Sequence, residues 1–216
     1  MKYQSTLDET TVSLLREAAE WRMLGLLFEC PGSQWREQVH ALAREVADPL
    51  LRTAAETALE EACEGDYHSI FGPGGPAPAR EVSYQETIQL GYLISELASY
   101  YGAFSYQPAT VEALDHVSVE AGFVGYLRLK EAFGVANGQF EAAAVARDAS
   151  KSFVNDHLSC VAKPLAFSLA ASGVAYLAAA GKALLARVGP PRTLPVIQSL
   201  PPAADCIDST FDCGVS

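Results

Sequence analysis

The sequence predicts an all-α protein, a single-domain helical bundle, on three observations. Apolar residues recur at three-and-four spacing along most of the chain, extended β-branched alternation is missing, and Gly, Pro and capping residues punctuate the segments. Half of the 216 residues are hydrophobic and 19% are charged, the balance of an ordered globular protein. That length suits one buried core better than two.

The elements follow in order. Leu14, Leu15, Ala18, Trp21, Leu24, Gly25 and Phe28 lie at helical spacing, with Asp8 or Thr10 available as cap. Pro31-Gly32-Ser33 stops that helix, and Ser33 stands where it can cap the next. Residues 34–62 read as two shorter helices broken near Asp48-Pro49, because a residue before proline disfavours helix. From Gly65 to Arg80 the Gly and Pro content excludes helix and predicts an extended surface loop, with 72–82 as its centre. Long ordered loops of this kind often carry function. Residues 87–104 resume a helix, closed by Gly102 and Pro108. Another runs from Asp115-His116 to about Phe133, then one over Phe140–His157, then an Ala-rich helix from about Leu158 to Val188. The organisation expected is a helical domain over 1–189 and a Pro-rich tail over 190–216.

Within the Ala-rich helix, Pro164–Gly181 forms 18 residues without a charge, at the threshold for crossing a membrane. Its many Ala, with Ser168, Ser172 and Gly173, contribute little to insertion, so a buried central helix is expected instead. The start, Met1 to Glu9, holds no apolar signal core, which predicts a cytoplasmic chain. The net charge of -11 argues against nucleic acid as partner and suits one carrying basic residues. Five scattered cysteines include no Cys-x-x-Cys, so reduced thiols and no metal site are expected; Cys206 and Cys213 form the one tail pair spaced to bond or share a metal.

The chemistry centres on Asp115-His116-x-x-x-Glu120-x-x-Phe123, a charged pair opening an otherwise apolar helix. His116 and Glu120, four apart, share a face. The plain structural reading makes Asp115 the N-cap or a first-turn carboxylate and leaves His116 partly exposed. For Asp156-His157 it makes His157 a core-edge residue with a backbone hydrogen bond, and it makes Trp21, Tyr92, Tyr100 and Tyr101 packing residues. No Gly-x-Ser-x-Gly elbow, metal-binding His spacing or phosphate loop accompanies these groups, so recognition is favoured over catalysis.

Three stretches together resemble the TorD/DmsD family of cytoplasmic maturation chaperones over roughly residues 10–188. They are Tyr67-x-x-Ile70-Phe71-Gly72-Pro73-Gly74 with Pro76-x-Pro78 and Ser83-Tyr84-Gln85-Glu86; Asp115-His116-x-x-x-Glu120-x-x-Phe123-x-x-x-Leu127; and Phe153-x-x-x-His157-Leu158 followed by Phe167. Arg80-Glu81-Val82 stands where the family usually has a Pro-Pro-Tyr-Glu-Ser type sequence. The resemblance implies a TorD-like bundle and a non-catalytic chaperone, with no cofactor of its own, for a molybdopterin-dependent enzyme of the dimethyl-sulfoxide-reductase type. Such a chaperone binds the immature catalytic subunit, often by its twin-arginine leader, during cofactor insertion, and is a monomer or homodimer. Carried over by motif, Asp115, His116 and Glu120 would line the client surface, opposite Phe71, Pro73, Tyr84 and Glu86 from the loop. Two alternatives stand beside it: a chaperone for a non-exported nitrate-reductase-type subunit, and a small hydrolase using Asp115 and His116 as acid and base.

Overall fold

The structure is a computed structural model that describes residues 8–85 and 87–189. Its helices are α1 (Glu9–Leu27), α2 (Trp35–Ala43), α3 (Pro49–Glu61), α4 (Glu64–Phe71), α5 (Leu90–Ala103), α6 (Val117–Ala136), α7 (Phe140–Phe153), α8 (Ser159–Ala170) and α9 (Ala175–Val188). No strand occurs among the described residues, so the all-α expectation is met. None of these helices is long and apolar enough to cross a membrane. The expected tail, with Cys206 and Cys213, lies outside the described residues.

Local chemistry sets the boundaries. Asp8 caps α1 by accepting the Thr11 N–H at 2.8 Å, and Asp48 caps α3 by accepting from Leu50 and Leu51 with Pro49 at the first turn. Ser33 does not cap α2, whose start carries no side-chain cap. The expected loop from Gly65 begins later than its composition suggests. Cys63 and the acidic Glu64 and Asp66 open α4, and only from Gly72 does the chain leave helix. Tyr67 and Ile70 bury one face of α4, which outweighs Gly65. The Ala-rich segment is likewise two amphipathic helices, not one central one. Gly173 takes φ +80, and Ser172 Oγ accepts the Val174 N–H, so α8 ends and α9 turns back against it.

The central helix is α6. Every residue from Val117 to Gly125 is buried, so its first turns are enclosed on all sides. It lies against α1 at close range because glycines stand at the crossing. A Cβ on Gly25 would come within 2.9 Å of the Ser118 carbonyl, and one on Gly125 within 3.0 Å of both the Ala18 carbonyl and the Arg22 N–H. Phe123 then reaches an aromatic group of Tyr101, Tyr106 and Phe153, with ring centroids 4.8–5.2 Å away. Between α7 and α8 the helix does not break but widens into a π-turn over Val154–Leu158, which carries His157 inward.

Candidate functional site: the Asp115-His116 motif and the groove beside it

The Gly-Pro loop and the motif meet directly. Gly75 donates to the Gly72 carbonyl at 2.9 Å, and a Cβ there would overlap the Ile70 carbonyl. The loop then runs antiparallel past the start of α6. Glu81 N–H donates to the Asp115 carbonyl and Val117 N–H to the Ala79 carbonyl, both at 2.8 Å, a single β-bridge between Arg80 and His116. The sequence reading therefore joined the right segments.

Their side chains, however, do not form an acidic surface. Asp115 is fully buried and accepts from Arg80 through Nε at 2.8 Å and Nη2 at 2.7 Å. An arginine of the chain itself occupies the carboxylate expected to grip a client. His116, not Asp115, is the N-cap of α6, and it is 4% exposed rather than partly open. Its Nδ1 accepts the Ser118 N–H at 3.2 Å and lies 2.7 Å from Ser118 Oγ, so Nε2 carries the proton. That nitrogen faces Tyr67 Oη at 3.3 Å, and Tyr67 donates on to Glu112 at 2.9 Å. Burial, outweighing the acidic Glu112 and Asp115, lowers the His116 pKa to about 4.

Glu120 is fully enclosed, and neither of its oxygens has a hydrogen-bond partner among the described residues. Burial, then the neighbouring Glu81 and Asp115, hold its carboxyl well above the usual range. No hydrogen bond joins its side chain to that of His116, because the imidazole turns back on Ser118 as a cap. The expectation that Asp115, His116 and Glu120 line a client surface is thus corrected: all three are interior. Of the loop residues, Phe71 is half-buried with its ring 5.1 Å from Tyr67 and 6.5 Å from His116. Pro73 is exposed, Tyr84 is half-buried and donates to the Pro78 carbonyl, and Glu86 lies outside the described residues.

The sequence reading missed three partners. Arg80 and Glu81, a charged pair closing a Pro-rich loop, were the available signal. Glu81 is wholly buried, with His157 Nδ1 3.1 Å from its Oε2 and Gln85 donating to its Oε1. His157 therefore holds a carboxylate rather than a backbone group, and Tyr100 stands edge-on to its ring at 5.5 Å. Cys160 joins this group; burial, then Glu81 and Glu120, push its thiol up to about 12. Trp21 and Tyr101 are buried as expected, whereas Tyr92 is 67% exposed.

The open surface beside the motif is apolar. A groove of about 400 Å³ lies between α1, α6 and the link from α5, walled by Leu15, Ala19, Tyr106 and Leu129 and floored by Ser118 and Gly122. Ser118 is the residue that His116 holds, so the buried motif fixes the groove floor. Gly122 leaves room for Tyr106, whose hydroxyl would sit 2.7 Å from any Cβ there. Arg22 and Glu29, paired at 2.7 Å, border one end. A larger cavity of about 670 Å³ lies against the opposite face of α1, but its arginines are already paired: Arg187 with Glu20 and Asp48, Arg128 with Glu17. No protein family, curated protein or solved structure matches this chain.

Proposed function

We propose that this protein is a non-catalytic maturation chaperone for the catalytic subunit of a molybdopterin-dependent enzyme, binding that subunit's apolar leader segment. The reading rests on the motif resemblance, and the single observation that carries it is the apolar groove whose floor the Asp115-His116 motif positions. The motif residues act by shaping: Asp115 anchors the loop through Arg80, His116 fixes Ser118, and the client touches the groove. A leader with arginines ahead of an apolar run matches an apolar trough on an acidic chain of net charge -11. The hydrolase alternative is disfavoured on geometry, because Asp115 and His116 are interior and each is already engaged by Arg80 and by Ser118.

The test is calorimetry with a synthetic peptide of two arginines, a short polar spacer and an apolar run. Ala19→Asp places a charge on the groove wall and should weaken binding at least tenfold, while circular dichroism stays unchanged. Equal affinity for both proteins would defeat the groove reading. Co-purification from the native host, with mass spectrometry of what is captured, then distinguishes an exported subunit from a nitrate-reductase-type one by whether its sequence carries a twin-arginine leader.

A further inference from the structure

One stripe of α6 continues past the groove. Ser118, Gly122, Tyr126, Leu129 and Phe133 follow one another at spacings of three and four, so they share a helix face. The first four line the groove of about 400 Å³. Phe133 enters a second apolar hollow of about 380 Å³, formed with Phe104, Gly134, Val145 and Ala146 where α6 turns into α7. Tyr126 lines the first and Lys130 the second, and this pair forms the saddle between them. Tyr126 donates to the Phe104 carbonyl at 3.0 Å, and the Lys130 ammonium stands 5.1 Å from the Tyr126 ring. Large apolar side chains face solvent along the stripe, Leu129 at 48% exposed and Phe133 at 64%, and beside it Val145 of α7 at 60%. Chance scatter puts exposed apolar residues singly on a surface, whereas contiguous ones mark contact surfaces.

We infer that the groove and the hollow form one docking track along α6 for an amphipathic helix of the client, entered by its basic N-terminal end. This rests on the reading that the groove captures an apolar leader, and it adds the conformation, length and direction of the captured segment. From Ser118 to Phe133 the track is roughly 22 Å long at about 1.5 Å rise per residue, which is about four turns of helix. A helix presents side chains at the same three-and-four spacing, so one of its faces can seat in the groove, cross the saddle and place a final apolar residue in the hollow. Charge sets the direction. Glu29 is paired with Arg22 at the groove, whereas the Lys130 ammonium stands at the Phe133 end, so a bound helix is favoured with the negative end of its dipole at Lys130. Charge also selects the occupant. A second copy brings another net -11, and a two-fold contact centred on the saddle sets Lys130 against Lys130, whereas a basic leader is attracted.

The experiment compares the arginine-plus-apolar peptide with a version cut after about two apolar turns, each titrated into the full chain. The double variant Phe133→Ser and Val145→Ser changes only exposed side chains of the hollow. It should weaken the long peptide at least fivefold and leave the short one unchanged, and the long peptide should gain helical circular dichroism on binding. Unchanged affinity for the long peptide, or a bound peptide without added helix, overturns the track. If Ala19→Asp still weakens both peptides in that case, the groove reading survives alone; if it weakens neither, that reading falls too. A double variant that converts a dimer to monomer in sedimentation while binding peptide normally assigns the hollow to self-association and also overturns the track.

Discussion

Removing the Asp115 side chain should destabilise the fold and leave client binding intact, and its magnitude follows from the geometry. Asp115→Ala deletes two charge-assisted contacts, at 2.8 and 2.7 Å, from a fully buried acceptor. Hydrogen bonds to charged groups contribute about 1.5–3 kcal/mol each way of counting, and the two share one oxygen, so a loss of about 2–3 kcal/mol is expected. Arg80 is not stranded by this change, since its side chain is 41% exposed and water takes over. Arg80→Ala is the harsher variant, because it leaves the acid of the pair buried without its partner, a change that costs about 3–5 kcal/mol. For a chain of this size about 2–3 kcal/mol lowers Tm by roughly 4–12 °C, readable by thermal circular dichroism. Asp115→Ala should therefore lower Tm by that amount, Arg80→Ala by more, and both should still bind peptide at temperatures where they remain folded. A folded Asp115→Ala protein of unchanged Tm that no longer binds peptide would refute the reasoning and return Asp115 to the client surface.

Gly125→Ala presses a methyl against the Ala18 carbonyl and the Arg22 N–H of α1, both backbone, so it should destabilise by about 1–3 kcal/mol in urea melts. His116→Asn keeps an N-cap acceptor while removing a titrating group. Because burial lowers His116 from 6.5 to about 4, its contribution is complete above pH 6.5 and is lost as pH falls towards 4, on the order of 3 kcal/mol in all; the variant should lack that loss. Glu120 shifts the opposite way, so its contribution is present below 4.5 and is lost as pH rises; Glu120→Gln should be more stable than the parent at neutral pH, and equal stability would sink the assignment.

How much of this was legible from the residues depends on what each signal encodes. Period and capping are local, so α1, α3, α5 and α6 were placed close to their observed limits. The start of α4 was misread because Gly65 argues against helix by composition, while Tyr67 and Ile70 argue for it only once their burial is known. The break at Ser172-Gly173 was hidden by helix-forming Ala and Leu residues on either side. The motif was found, but its direction was inverted. A charged pair at a helix start is read as outward by default, since buried charges are expensive unless paired. The partner that reverses that default, Arg80, lies 35 residues away, and nothing in local spacing couples it to Asp115. The groove was invisible for the same reason: Leu15, Ala19 and Gly122 are ordinary residues until α1 and α6 are laid side by side.

The interior position of these groups has a consequence for how the protein responds to acid. Between pH 4.5 and 6.5 the unfolded chain gains a proton that folded His116 refuses, which favours unfolding as pH falls. Above pH 4.5 the unfolded chain ionises a carboxyl that burial in the folded chain holds protonated further up, which favours folding as pH falls. The two slopes have opposite sign, so each masks part of the other as long as both groups are intact. Glu120→Gln should therefore unmask a stability that climbs with pH by up to about 1.4 kcal/mol per pH unit, the His116 slope, and His116→Asn one that declines with pH. Urea midpoints of the two variants between pH 4.5 and 6.5 supply the check. Parallel curves for both would mean that neither group is held in its buried form, and the motif would then have to face solvent after all.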